Sequence, residues 1–451
     1  MKTIKYKDAK NNPKEARMKK LVLVLLAVFL VIPALSNAGS VSSKYDVTFG
    51  GFVKYDLGYS TQNSHADPGT AYRSSGLFRD SRADEYGNTF STAGETRFNF
   101  LVKGPDLWGA KTSAFIEGDF RGTTTQNQNG GFQLRHAFMS LNWQSAELMI
   151  GQNWQQWGMP YYPAMIGNND FAQYLKGIRT PQMALRFFMG KEFNAMFGIT
   201  SATEWSGATR QFNDDYARSS WPGVMGEIAY WSDRCGKIGP NNLKFALGGV
   251  FGRESKTYAE TTTVGGIPVS GTVKDSTLDA WLTAFRYSVP IIPEKQGNKA
   301  MALLLNGNFF YGANVAGNNW LSPGAPSPSN GSYFRNASMD AAAPTVFGLY
   351  TQGTFWLTNT LQVNAMYGYL KYQYSGYARD TNVDNVNMMQ TYAVNLLWDA
   401  NQAIRFGVQW MSMFTGFNRP GLGASNGTAG VGNLDRTGQI DQYRFVAYYF
   451  F

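Results

Sequence analysis

The chain has 451 residues, 43% of them hydrophobic and 15% aromatic, with one Cys, two His and a formal net charge of +9. A single cysteine excludes an intramolecular disulfide framework, and two histidines make a multi-histidine haem or zinc centre a poor fit, so neither metal nor cofactor is expected. Beyond residue 38 no apolar run reaches the roughly 18 residues of a spanning helix, which excludes a helical membrane protein.

In chain order, Met18-Lys19-Lys20 opens an apolar run from Leu21 to Leu35, followed by the small residues Ser36-Asn37-Ala38. A positive region, a short apolar region and an A-x-A-like site make a secretory signal peptide. Residues 1–38 are therefore expected to be removed, with Met18 as the true start, leaving 39–451 as one domain. Taking the eight Lys+Arg and two Asp+Glu of residues 1–38 from the 40 and 31 of the whole chain leaves a net charge of only +3. The basic character belongs to the removed segment, and no basic patch with interleaved aromatics points to nucleic acid.

From there the pattern is period two, the signature of strands with one apolar and one polar face. Sixteen alternating segments are predicted, at about 45–59, 96–103, 111–120, 133–143, 146–152, 182–189, 193–203, 223–231, 243–253, 277–289, 300–312, 345–357, 360–374, 388–398, 403–415 and 439–451. Fourteen and eighteen strands are the alternatives. Connectors alternate in length. The long ones are about 60–95, 121–132, 153–181, 204–222, 254–276, 313–344, 375–387 and 416–438, and the ones between are mostly a few residues. An all-β transmembrane antiparallel barrel has this asymmetry, with long extracellular loops, short periplasmic turns, an even strand number and both ends in the periplasm. Sixteen strands also enclose an aqueous channel, where eight leave a lumen filled with side chains.

Strand parity sorts the charges. With Phe98, Phe100 and Val102 toward lipid, Arg97 and Lys103 face inward; with Ile116 and Phe120 outward, Glu117 and Asp119 face inward. The same rule turns Lys54, Asp56, Arg186, Lys244, Arg286, Arg405 and Arg444 toward water. A charge on the lipid side at mid-membrane costs about 2–4 kcal/mol for Arg or Lys, so the sorting is a physical requirement. One segment resists it. Arg135 shares parity with Met139 and Leu141, while His136 shares parity with Phe138 and Ser140, and a bulge or a rim position for Arg135 would each account for this. Inward arginines outnumber inward acids, which favours anions; pairing between the two signs would instead give a weakly selective wall.

The 153–181 connector carries Trp154, Trp157, Tyr161, Tyr162 and Phe171, too aromatic for a loop surrounded by water. As the third long loop it is the expected constriction, with Asp170, Lys176 and Arg179 as candidates at the narrowest point; packing against neighbouring loops or a subunit interface is the alternative. At the C-terminus Tyr443, Phe445, Tyr449 and Phe451 share one face of the last strand, the form of a barrel-assembly signal.

The stretches GGFVKYDLGY, ETRFNFLVKGPDLWGAKTSAFIEGDF and LRHAFMSLNW…ELMIGQNWQQWG resemble the Gram-negative outer-membrane porin superfamily, and most of all the DcaP-like trimeric porins. The resemblance covers about 48–160 and the C-terminus. It implies a sixteen-stranded homotrimeric channel for small, often anionic solutes, with Arg97, Glu117, Asp119, Arg135 and His136 in or near the pore wall. The implied partners are membrane lipid, lipopolysaccharide and the barrel-assembly machinery. No N-terminal periplasmic coiled-coil segment, carried by some of that family, is evident.

Together these readings describe an outer-membrane porin for passive diffusion of small hydrophilic solutes with mild anion preference. The alternative is a barrel sheath around an electron-transfer cytochrome. Enzymatic readings fare poorly. An outer-membrane phospholipase needs a Ser-His-Asn arrangement and an omptin-like protease needs acidic pairs with a rim histidine, and only His65 and His136 are on offer.

Overall fold

β-branched and aromatic residues alternating with small and polar ones favour extended chain, and a sheet with one apolar face needs that face covered or in lipid. The computed structural model describes residues 45–61, 87–122, 130–166, 179–200, 222–264, 267–315, 342–381, 386–418 and 437–451. The predicted signal peptide lies outside the described residues, as do Asp170, Phe171, Lys176 and His65. The barrel forms one compact unit, Val47–Phe451.

The strands are β1 (Asp46–Ser60), β2 (in two segments, Asn88–Thr92 and Arg97–Lys103), β3 (Lys111–Gly122), β4 (Gly131–Asn142), β5 (Ala146–Trp154), β6 (Arg179–Met189), β7 (Phe193–Thr200), β8 (Gly223–Ile238), β9 (Asn241–Val264), β10 (Ile267–Ile292), β11 (Leu303–Ala313), β12 (Thr345–Trp356), β13 (Leu361–Gln373), β14 (Val386–Asp399), β15 (Ile404–Phe417) and β16 (Thr437–Phe450). A single helical turn, α1 (Gly376–Thr381), sits between β13 and β14. Each strand pairs antiparallel with its sequence neighbours, and β1 pairs with β16 from Phe52↔Phe450 to Ser60↔Gln442. The sheet is thereby closed into a barrel of sixteen strands with no free edge. The last residue helps shut the seam: the Phe451 and Gly51 amides exchange hydrogen bonds with each other's carbonyls at 3.1 and 3.0 Å.

Two features depart from the sequence reading. The connector assigned to 254–276 is a β-ladder, with β9 and β10 pairing up to Val264↔Ile267. Alternation of lipid-facing residues stops where the hydrocarbon stops, but strand propensity does not. Thr261, Thr262, Thr263, Val264, Ile267, Val269 and Val273 continue the ribbon, and Gly265-Gly266 between them is the residue pair that tight hairpins favour. At the opposite end, β8 and β9 also run further than expected, to Ile238 and from Asn241, so the connector read as 232–242 is a tight turn.

The conflict at Arg135 and His136 is resolved by a bulge. In the β3–β4 ladder Glu117 pairs with His136 while Gly118 pairs with Leu134, leaving Arg135 as an extra residue. A bulge sets two consecutive side chains on one face, and both Arg135 and His136 reach Glu117 on the inside.

The outer face is apolar. Val53, Tyr55, Leu57 and Tyr59 of β1, Val394, Leu396 and Trp398 of β14, and Tyr443, Phe445, Tyr449 and Phe451 at the C-terminus are all exposed on it. The inward positions between them are buried or half-buried and carry the charges and amides. An exterior of this kind suits hydrocarbon, and a closed ladder satisfies the backbone there.

Candidate functional site in the barrel interior

After Trp154 the chain leaves β5 and turns inward, with Gly158 at φ +75° in the left-handed region that glycine tolerates. The path of 155–166 is fixed by where its backbone hydrogen bonds go. Arg186 on β6 donates to the Gln156 carbonyl at 3.3 Å, and Glu227 on β8 accepts from the Gly158 amide at 3.1 Å. Arg286 on β10 donates to Met159 O and Asn308 on β11 to Gly158 O, at 3.0 and 3.1 Å. Gln352 on β12 holds two groups, donating to Tyr162 O at 3.0 Å and accepting from Ala164 N at 2.7 Å. Asn395 on β14 donates to Ala164 O at 2.7 Å, Gln409 on β15 accepts from Ile166 N at 3.1 Å, and Lys54 on β1 donates to Ile166 O at 3.1 Å. A segment that touches eight strands spread around a closed barrel runs inside it. Loops usually lie on the surface because buried backbone needs partners; here the lumen side chains are the partners.

Apolar contacts reinforce this path. Trp157 and Met165 join an inward cluster with Met196, Met225, Leu282, Phe310, Tyr350 and Met389, on the wall from β7 to β14. Tyr162 packs on Ile238, Leu304 and Trp356, and Ile166 on Leu397 and Val446. The loop therefore covers the β8–β15 side. Asn306, Asn308, Gln352, Thr354 and Asn364 there are 0% exposed, while across the lumen the Arg97 and Arg121 side chains keep 24% and 22% of their exposure.

That second side is a lattice of charge. Arg97 and Arg135 each lie 3.2 Å from Glu117, and Arg135 also binds Asp119. Lys54 pairs with Asp56 at 3.1 Å and with Glu95, which pairs with Arg121 at 2.8 Å; Arg444 approaches Asp56 at 3.5 Å. Near the short-connector end Arg405 grips Asp399 on β14, one bond being 3.0 Å. On the loop side Arg286 and, at 4.0 Å, Arg186 meet Glu227, with the Arg286 guanidinium 4.2 Å from the Tyr161 ring. Lys244 lies 5.3 Å from Tyr161 and 5.9 Å from Trp231.

Of the residues singled out from sequence, Arg97, Glu117, Asp119, Arg135 and His136 form one cluster. Arg186, Arg286 and Lys244 form a second around Tyr161, and Lys54, Asp56 and Arg444 form a third that is fully buried. Lys103 is exposed at the end of β2. Sequence reasoning passed over Glu95, Arg121, Glu227, Asp399 and the amides Asn308, Gln352, Asn395 and Gln409. Glu227 was within reach, since it shares inward parity with Met225. The amides were not, because only the folded loop gives them a task.

No family model and no curated protein matches the sequence. Solved structures do match, and they place the barrel in the porin fold. The outer membrane channel DcaP of Acinetobacter baumannii aligns with a TM-score of 0.65 at 17% identity, over 92% of this chain and 99% of that one. An anion-selective porin from Comamonas acidovorans aligns with a TM-score of 0.52 at 11% identity, over 90% of this chain and 100% of the other.

Proposed function

We propose that this protein is a porin of a Gram-negative outer membrane, a water-filled channel for passive diffusion of small hydrophilic solutes with a mild preference for anions. The observation that carries the reading is the loop 155–166, held by inward side chains against one side of a sixteen-stranded barrel while Arg97 and Arg121 on the charged side stay partly exposed. A loop in that position narrows a lumen that would otherwise be wide, and it is the constriction in this reading. Anion preference follows from inward Arg and Lys outnumbering Asp and Glu, and the Comamonas porin is likewise anion-selective. The sheath alternative is disfavoured because the loop occupies space a cytochrome would need.

The test is planar-bilayer recording of the refolded barrel. The expected result is steady ohmic conductance, with a reversal potential in a KCl gradient displaced toward chloride. A folded barrel that does not conduct contradicts the proposal. Three further parts have their own checks. The mature N-terminus is expected at Gly39 by mass spectrometry of the exported protein. A homotrimer is expected from crosslinking and unheated gel mobility in mild detergent. Deleting Phe451 is expected to lower the yield of assembled barrel.

A further inference from the structure

On β7–β10 the outer wall of the barrel carries a hollow of about 350 Å³. The strand registers show how it forms. Asn194, Ala229 and Ala246 stand opposite one another on β7, β8 and β9, and their side chains are buried inward, so their backbone makes the floor. The outward residues on either side make the walls. Phe193, Tyr230 and Phe245 pair across the strands as one row, and Ala195, Ile228, Leu247 and Phe285 pair as the other. The Phe245 and Phe285 rings, stacked at 6.0 Å, close the β10 end. At the other end stand Met189 and Phe193, which flank the turn between β6 and β7.

Length and direction both suit one lipid chain. Strands lie about 4.8 Å apart, so a slot from β7 to β10 is about 14 Å long. That is about half of the roughly 30 Å hydrocarbon core, the depth of one leaflet. Phe193 is the first residue of β7, whereas Phe285 lies well inside β10, which ends at Ile292. With strands tilted by about 35–45°, the slot climbs from the barrel rim into the hydrocarbon. At that rim Lys191 is exposed. Its neighbour Glu192 is already engaged, accepting from the Ser232 hydroxyl at 2.7 Å and pairing with Arg234 at 3.0 Å, and the Arg234 side chain stays 79% exposed. Asp233 accepts from the Asn242 amide at 2.7 Å. Two cations with one acid between them therefore stand over the entrance of an apolar slot, and cations at a membrane surface attract anionic lipid headgroups.

We propose that this hollow is a binding site for an anionic phospholipid of the periplasmic leaflet, with the phosphate at Lys191 and Arg234 and one acyl chain lying between the Phe193 and Leu247 rows. The inference rests on the outer-membrane reading above, with the short connectors in the periplasm, and not on conductance. A second copy of the chain meeting the hollow through the same patch would set Lys191 and Arg234 against their own kind, which costs affinity.

The experiment is native mass spectrometry of the full mature barrel in non-ionic detergent, titrated with dioleoyl phosphatidylglycerol or dioleoyl phosphatidylcholine, in wild type and in K191Q, K191E, L247W and K295Q. Folding is checked by heat-modifiable gel mobility. Wild type is expected to retain phosphatidylglycerol at severalfold lower concentration than phosphatidylcholine. K191Q, an exposed turn position, is expected to weaken phosphatidylglycerol about fivefold, the share of one cation at a lipid surface, and K191E to weaken it further. L247W keeps the cations and fills the slot, and is expected to weaken both lipids. K295Q, on the turn between β10 and β11, is expected to stay within about twofold of wild type. Equal retention of the two lipids by wild type, or wild-type retention of phosphatidylglycerol by folded K191E or L247W, would overturn the site. Oligomers of wild type that L247W disperses would give the hollow to a second copy and overturn it too. A barrel that binds lipid in this way and does not conduct would remove the porin reading and leave the site.

Discussion

The two sides of this lumen solve the same problem differently. On β1–β4 the inward groups are charges, and they satisfy one another across neighbouring strands, Arg97 with Glu117 and Arg135 with Glu117 and Asp119. On β11–β15 the inward groups that meet the loop backbone are amides, Gln352 and Asn395 binding the backbone of Tyr162 and Ala164. Amides both donate and accept, so they can pair with a peptide backbone at either group. Glu117 and Asp119 are buried, so each needs its guanidinium partner, and Arg97 keeps partial contact with water. The division explains why the loop lies where it does and why the remaining space is bounded by charge.

The largest way to break the contrast is at Glu227, among the described residues the one acid that binds the loop backbone. Glu227→Ala removes the acceptor for the Gly158 amide and strips Arg286 and Arg186 of their carboxylate. Breaking a buried pair from one side costs about 3–5 kcal/mol, and the expected outcome is a lower urea midpoint for the folded, heat-modifiable barrel. Next is Gln352→Ala, which leaves Tyr162 O and Ala164 N without their partner. A cost of about 1–3 kcal/mol is expected, with larger and noisier single-channel conductance as the loop loosens. Smallest is the charged side. Arg97→Ser is expected to shift reversal potential toward cations, more at 0.1 M than at 1 M salt, where screening shortens to about 3 Å. Arg405→Ser is expected to shift it less, because Arg405 faces Asp399 near the barrel end with 31% of its side chain in water. Equal shifts at both salt concentrations would sever selectivity from fixed charge.

Much of this is legible in the amino-acid sequence. Period-two alternation located sixteen strands because lipid enforces it at every outward position, and parity sorted the charges for the same reason. Arg135 stayed ambiguous because a one-residue slip flips every later side chain, and the slip is decided by the partner strand, where Glu117 faces His136. Glu95 was missed because it falls in the break between the two segments of β2, outside any alternating run. The β9–β10 ribbon is not legible from the apolar alternation because that alternation ends with the hydrocarbon, and the ladder continues to Val264↔Ile267. The docking amides were invisible for a deeper reason. An inward Asn or Gln is ordinary in any water-facing strand, and Asn308 or Gln409 acquires a particular role only from a loop distant in sequence.

The central claim, that the conduit runs along the charged side while the loop seals the amide side, has a direct test. Cysteines are placed at Asn99 on β2 and at Asn308 on β11 in a Cys235→Ser background, and a charged, membrane-impermeant methanethiosulfonate reagent is added during bilayer recording. Asn99 shares inward parity with Arg97 and pairs with Glu117, whereas Asn308 is fully buried beneath the loop. The account expects rapid, stepwise loss of current at position 99 and little change at position 308. Equal modification at both positions, or modification only at 308, would contradict it.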